Sequence, residues 1–409
     1  MAPRRVSLAL PLLGLWVAAA AASADVSGMS PTPLIIDTDM STDVDDVVAI
    51  CMAHELQDRG EAKLLGVVHN TGLLEGIGAV SVLNHFYGHD DVALGAYKGD
   101  FDNGSQVLAE GSWQSTGGVA AGDGQGEIKT TAGPFVKNLS RGFSSPVKNY
   151  TQVPDSVHVY RQVLSSQPDH SVVVASIGFL TNLADLLRSG PDSVSPLSGP
   201  DLVAAKVKKA VVMGGNYPNS SQLFGPVEHE WNFGGGCNWT APVCPTTANA
   251  TTYFLSHWPA SVPLVFLGFE VGVHILTGQP LTAPGTTCAA VAAEQPPNPC
   301  AAAFNDYSGW DAEFWPQRPS WDPAAVLVAV RGAGPYFEEQ AGGHNTADPV
   351  DGSNAWVAHA PASGPGAQSY LRFVNQTSGP GAVGQIIDDL VCARSAFNAA
   401  PKHAGRLRR

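Results

Sequence analysis

Leu34-Ile35-Ile36-Asp37-Thr38-Asp39-Met40-Ser41-Thr42-Asp43-Val44-Asp45-Asp46 is the stretch from which the rest of the chain is read. A short apolar run breaks off into five aspartates within ten residues, and Val47-Val48-Ala49-Ile50-Cys51-Met52-Ala53 then reads as a buried helix. Strand, acidic loop, helix is the order expected of a site at the carboxyl end of a parallel strand. Carboxylates this crowded repel one another, so a cation is the simplest compensation. All are hard oxygen donors, with no Cys or His among them, which points to Ca²⁺ or Mg²⁺ over zinc. A solvated acidic turn is the competing reading, and the apolar flanks speak against it.

Outward from this stretch, strand and helix alternate. Ala62–Val68 reads as a strand ending in His69-Asn70-Thr71, followed by a helix from Gly76 to Tyr87 and a strand at Val92–Gly95. Lys98–Gly133 is Gly, Ser, Thr and Gln without period, a long surface loop and a candidate lid. A helix is expected at Ser156–Gln167 and a buried strand at Ser171–Gly178. Thr181-Asn182 is expected to cap a helix at Leu183–Leu187. Lys209–Met213 is a strand closing on Gly214-Gly215-Asn216, and Tyr217–Ala248 is rich in Gly, Asn and Pro. Val262–Gly268 is an apolar strand ending near Glu270, and Gln279–Pro299 a loop rich in Pro and Ala. Trp321-Asp322-Pro323 opens an apolar helix, Ala324–Val330, with proline in the first turn. Val350–Phe373 has weak strand character, and Ile386–Phe397 resembles a terminal helix. This is the α/β pattern: an open, mostly parallel sheet flanked by helices, in one large domain with long loop insertions. The expected boundaries are a leader at 1–24 and a domain at 25–409, with its core at about 33–330 and an extension at 331–409.

The chain has 409 residues and 44% apolar side chains, enough for a sizeable core. Arg4 and Arg5 precede an apolar run from Val6 to Ala22, and Ala22-Ser23-Ala24 offers a cleavage site. This is the form of a secretory signal peptide, and no later run is long enough to span a bilayer. Sequons begin at Asn103, Asn138, Asn149, Asn219, Asn238, Asn249 and Asn375, as in a secreted glycoprotein. Six cysteines fit an oxidising compartment. Cys237 with Cys244, and Cys288 with Cys300, are the bridges that proximity suggests; Cys51 and Cys392 are compatible with buried thiols or a third bridge. A net charge of −14 argues against nucleic acid or an anionic membrane as partner, and the basic ending from Lys402 to Arg409 reads as a frayed tail.

In an open parallel sheet, the strand ends at Asp37/Asp39, Asn70, Ile177-Gly178 and Gly215-Asn216 line one crevice. Later loops would add Glu230, Asn232, Trp321 and Asp322. Amides and carboxylates around a hard cation suit a polyhydroxylated ligand, because each sugar hydroxyl both donates and accepts. A phosphate substrate is not expected, since there is no glycine-rich phosphate loop or Lys/Arg clamp.

Asp37-Thr38-Asp39 through Asp45-Asp46, Asn70, Ile177–Asn182, Met213–Asn216, Glu230-Trp231-Asn232 and Trp321-Asp322-Pro323 together resemble the inosine-uridine nucleoside hydrolases, from about Pro33 to Val330. The resemblance implies an open α/β sheet and hydrolysis of the N-glycosidic bond of ribonucleosides to ribose and free base. It further implies Ca²⁺ held by Asp39, Asp46, Asp322 and the carbonyl of Ile177, with Asp39 as general base. Asp45 would hold the 2′-hydroxyl, and Asn70, Asn216, Glu230 and Asn232 would contact ribose. The partner implied is a small nucleoside, and relatives commonly form dimers or tetramers, so a homo-oligomer is compatible. An oxocarbenium-like transition state among carboxylates agrees with this chemistry.

Three features depart from the family pattern. The first loop is two residues longer, which makes Asp43 an extra carboxylate able to exchange roles with Asp39. Trp321 stands where many pyrimidine-tolerant members carry histidine; it stacks on a purine more readily than it gives a proton, which favours purine nucleosides. Gly234-Gly235-Gly236 follows Asn232 where the family usually enters a helix. Plainer readings stand beside these: Asn70 and Asn216 as turn residues, Asp322 as a helix cap, and Trp231 and Trp321 as core aromatics. His69 and His274 read as structural, His229 as an exposed loop residue, and Asp37 as a support for the loop. The competing functions are a Ca²⁺-stabilised nucleoside or ribose-binding protein without turnover, and a haloacid dehalogenase-type phosphohydrolase. The latter needs a late Asp-Asp motif at a strand end, whereas Asp388-Asp389 lies in a helical pattern.

Overall fold

The computed structural model describes residues 30–41, 43–98, 134–218, 230–235, 245–282, 298–308, 316–359 and 367–393. The leader, the segment 99–133, His229, the basic ending and the expected Cys237–Cys244 bridge lie outside the described residues.

Strands β1 (Thr32–Thr38), β2 (Ala62–His69), β3 (Ala93–Ala96), β4 (Val172–Ile177), β5 (Val207–Met213) and β6 (Leu264–Leu267) are joined in parallel. The short pair β7 (Leu276–Thr277) and β8 (Arg318–Pro319) stands apart as a two-stranded ribbon. Then β9 (Phe337–Ala347), β10 (Asn354–Ala358) and β11 (Gln368–Phe373) complete one nine-stranded sheet of order β10-β9-β11-β6-β5-β4-β1-β2-β3. Strand β11 is parallel to β6, while β9 is antiparallel to both its neighbours. The segment beyond residue 331 is therefore part of the main sheet. Its long strand β9 carries few of the apolar residues by which a strand is recognised.

Alternation explains the layers. In β4, Val173, Ala175 and Ile177 join one apolar cluster and Val172 and Val174 the other; in β1, Leu34 and Ile36 oppose Ile35. Helices Asp45–Asp58, Gly76–Tyr87, Trp321–Arg331 and Gly379–Val391 pack on the first face. Helices Ser156–Ser165, Thr181–Arg188, Gly199–Lys206 and Pro245–His257 cover the second. Helix Asp45–Asp58 is buried from Asp45 to Leu56, with no solvent face to give it an amphipathic signature.

Several local expectations are corrected. Thr181 and Asn182 do not cap their helix, which begins at Thr181 after Leu180; their side chains reach across to Asn70 O and Asp37 instead. The last helix spans Gly379–Val391, earlier than expected, and a helical turn at Gln279–Thr282 opens the supposed loop. Cys300 pairs with Cys51, not with Cys288, and Cys392 is disulfide-bonded too. Proximity in sequence misled because the fold lays helix Pro299–Ser308 against the first helix. No helix among the described residues is long and apolar enough to cross a membrane.

The Cys51–Cys300 bridge closes a separation of 249 residues between two packed helices. Cys300→Ala is expected to cost roughly 2–5 kcal/mol of stability, seen as a lower midpoint in denaturant unfolding. An unchanged midpoint would show that packing alone holds these helices.

Candidate active site and metal centre

Chain order places the site. From β1 the sheet grows to β2 and β3 on one side, then returns to β4 on the other and continues to β5, β6 and β11. The strand order reverses between β1 and β4, where an open parallel sheet forms its ligand crevice. Thr38 and Ile177 are register partners at the ends of these strands. A Cβ on the next residue, Gly178, would lie 2.5 Å from Asp39 N and 2.7 Å from Asn70 Nδ2, so only glycine lets the two loops meet.

Asp45 and Asp46 begin the first long helix, and Asp322 sits in the first turn of helix Trp321–Arg331. One carboxylate oxygen from each lies within 4.8 Å of the others, and all three residues are buried. Asp45 Oδ2 accepts the backbone N–H groups of Trp321 (3.1 Å) and Asp322 (3.2 Å). Asp45 thus caps the later helix, whose own preceding residue, Ser320, provides no side-chain cap. Asp46 accepts from the Thr38 hydroxyl. Asp39, expected among the ligands, is not one of this group, in which Asp45 stands; it accepts the Trp231 indole N–H at 3.2 Å, and its charge acts on both Asp46 and Asp322. Asp322 and Asp46 thus belong to one carboxylate group, and Asp39 is near enough for its charge to be felt by both. Asp43 is engaged by Arg318, whose Nε donates at 2.9 Å, and this pairing separates it from the three clustered oxygens.

Burial drives the protonation equilibria. It lifts Asp45, Asp46 and Asp322 well above the ordinary carboxylate range, and their mutual charges add to it. Asp39 is pushed up to about 7, mainly by burial, against the Trp231 hydrogen bond. A positive ion among these oxygens would offset the effect of burial, since it favours the charged forms. Buried, oxygen-only donors converging from two helix N-termini fit a hard divalent cation.

The remaining expected residues make contacts of their own. Asp37 is wholly buried and accepts from Tyr160 (2.8 Å), Asn70 (3.0 Å) and Asn182 (3.0 Å), the support expected of it. Glu230 binds the backbone N–H groups of Gly215 (3.0 Å), Asn232 (3.1 Å) and Phe233 (3.2 Å), which fixes its loop against the end of β5. Asn232 donates to Met213 O at 3.2 Å. Asn216 is half-buried, with its backbone N–H on Asn354 of β10 at 2.8 Å. Trp321 is half-buried against Phe269, its indole N–H on the Phe269 carbonyl at 2.8 Å; a Cβ on Gly272 would strike its ring.

A sequence model of the inosine-uridine preferring nucleoside hydrolases matches residues 34–341. The chain belongs to that family. It is by this membership an N-glycosidase of nucleosides, within a metal-dependent group of enzymes. Its fold is similar to a purine-preferring ribonucleoside hydrolase from Gardnerella vaginalis (TM-score 0.58, 17% identity, covering 88% of this chain and 99% of that one). It is also similar to a plant nucleoside hydrolase, PpNRh1 (TM-score 0.55, 16% identity, 89% and 100% covered). The type III effector XopQ, solved with adenosine diphosphate ribose, is a further match (TM-score 0.56, 16% identity, 88% and 94% covered). At these identities the likeness is one of fold. No curated protein matches the chain. The phosphohydrolase reading loses its late motif: Asp388 lies inside a helix and accepts the Gly278 N–H at 2.8 Å.

Trp231, Thr38, Tyr160, Asn182 and Arg318 hold the site's carboxylates, and sequence reading gave none of them that task. Only Thr38, between Asp37 and Asp39, carried a local signal. Without metal, raised carboxylate pKa values mean that the folded state binds more protons than the unfolded one, so stability falls as pH rises. Chelator-treated protein is expected to melt higher near pH 5 than near pH 8, the part owed to Asp37 and Asp39 being lost between 3.8, the ordinary aspartate value, and about 7, their value in the fold. A saturating divalent cation is expected to flatten that slope in part, removing the share owed to Asp39, Asp45, Asp46 and Asp322 and leaving the share of buried acids outside the cluster such as Asp37 and Asp388; a slope unchanged by metal would count against a shared ion site.

Proposed function

We propose that the chain is a secreted, Ca²⁺-dependent hydrolase of purine ribonucleosides. The observation that carries this reading is the convergence of Asp45, Asp46 and Asp322 oxygens in one buried pocket beside Asp39. Asp46 and Asp322 would hold the ion, with Asp39 and the Ile177 carbonyl completing the set and Asp45 presenting a further oxygen. A divalent cation bound there would acidify a water molecule and anchor the ribose hydroxyls.

The chain's own groups account for the other requirements. Asp39, held by Trp231, takes the proton of the attacking water. That water's oxygen bonds to C1′ as the C1′–N bond breaks, its electron pair leaves with the base, and the base then takes up a proton. Asp39, Asp45 and Asp46 favour the positive charge that develops on the sugar, as in other glycoside hydrolysis. Asn70, Asn216, Glu230 and Asn232 border the sugar; Glu230 acts chiefly by keeping that border in place. Trp321 offers an aromatic face to a purine, and its N–H, already given to Phe269, is not available to protonate the leaving base. Oxygen-only ligands support Ca²⁺, and the Cys51–Cys300 bridge with the leader-like beginning supports secretion.

Ribose release from inosine, adenosine, guanosine and uridine, with and without chelator, tests this. Turnover is expected with the purine nucleosides, to stop with chelator and to return with Ca²⁺. Nucleoside binding with no release would instead favour a binding protein. Asp322→Asn is expected to lower kcat/KM by about a hundredfold or more while the chain stays folded, and near-normal turnover in that variant would remove Asp322 from the centre.

A further inference from the structure

Asn70 follows β2 at the carboxyl edge of the sheet and is completely buried. Its backbone N–H donates to the Thr38 carbonyl at 2.9 Å, and its own carbonyl accepts from the Thr181 hydroxyl at 2.8 Å. Its side-chain Nδ2 donates to Asp37 Oδ1 at 3.0 Å. Oδ1 alone of these polar groups has no partner among the described residues. A buried acceptor left open in this way is costly unless a ligand completes it.

The two ends of an asparagine amide are nearly isosteric, and packing alone does not choose between them. Asp37 does choose. Asp37 Oδ1 already accepts from a second amide, that of Asn182, so turning the Asn70 amide end for end would set its oxygen against an oxygen that serves as acceptor. Asp37 is itself held by two further donors, Asn182 Nδ2 on Oδ1 at 3.0 Å and the Tyr160 hydroxyl on Oδ2 at 2.8 Å. Any side chain larger than hydrogen at Gly178 would press on the amide, since a Cβ there would lie 2.7 Å from Asn70 Nδ2.

We propose that Asp37 is a positioning residue acting through Asn70: it keeps the amide oxygen, and not its NH₂, available to the sugar, so the site demands a hydroxyl hydrogen at that point. This rests on the nucleoside hydrolase reading of the same site. A site built around a buried acceptor rejects an analogue that lacks the matching hydroxyl, because the acceptor is then left unpaired.

The test measures kcat/KM of wild type, D37A, N70A and D37A/N70A on a ribonucleoside and on its 2′-deoxy and 3′-deoxy counterparts. Each single change is expected to lower turnover of the ribonucleoside by about 10–100-fold, the worth of a hydrogen bond in a buried site. The double variant is expected to be no worse than N70A, because both act on one contact. On the deoxy counterpart that lacks the contacted hydroxyl, all four proteins are expected to agree within about threefold. D37N keeps an acceptor oxygen for the amides and is expected to rescue D37A to within about threefold of wild type. Should D37A not fold, the exchange decides: N70D sets two carboxylates face to face, and D37N/N70D is expected to recover at least about tenfold of the loss. Equal losses on all three substrates, additive singles, a D37N as poor as D37A, or no recovery in the exchange would overturn the assignment. Wild type that cleaves no nucleoside would refute the hydrolase reading itself, a separate outcome.

Discussion

Three buried carboxylates, Asp45, Asp46 and Asp322, hold oxygens within 4.8 Å of one another, and the rest of the structure answers to that repulsion. Two like charges at about 4 Å repel by about 4 kcal/mol even at an effective dielectric of 20. Two helices point their N-termini at the cluster, but each such terminus is worth at most about 2 kcal/mol to a nearby anion. Helix dipoles therefore do not balance three paired repulsions. Protons or a divalent cation must, and burial first, then the neighbouring charges, raise the pKa values of these carboxylates.

The same constraint explains why distant parts of the chain are fastened where they are. Asp45 belongs to the first helix yet caps a helix that begins at Trp321. Asp43, in the loop just before it, grips Arg318 at the end of the segment leading into that later helix. The Cys51–Cys300 bridge ties the first helix to its neighbour. Capping, ion pair and disulfide hold the early acidic loop against the late one, so that like charges stay close without being driven apart.

A second set of buried polar groups holds loops and side chains in place. Asp37 gathers Tyr160, Asn70 and Asn182; Glu230 gathers three backbone N–H groups; Trp231 steadies Asp39. Each is buried or half-buried; Asp37 and Trp231 join residues far apart in sequence, while Glu230 closes a shorter loop onto the end of β5. Such support raises the precision of a site more than its stability. It also gives a glycosidase fixed dipoles around the sugar in place of mobile water.

Much of this was legible in the residues alone. Apolar runs with period two, the acidic loop after the first of them and the polar residues at strand ends set out a parallel α/β sheet with an acidic crevice. They even placed Gly76–Tyr87 at its observed bounds. The family resemblance, not the residues by themselves, named Asp46 and Asp322 together with Asp39; the structure groups oxygens of Asp46 and Asp322 with one of Asp45. Tertiary structure decided the rest. Which cysteine meets Cys300, that Asp43 goes to Arg318, that Trp231 serves Asp39 and that Thr181 and Asn182 reach sideways instead of capping are all long-range choices. Local propensity carries no information about a partner dozens or hundreds of residues away, and a polar side chain settles on whichever buried donor or acceptor the packing brings within about 3 Å.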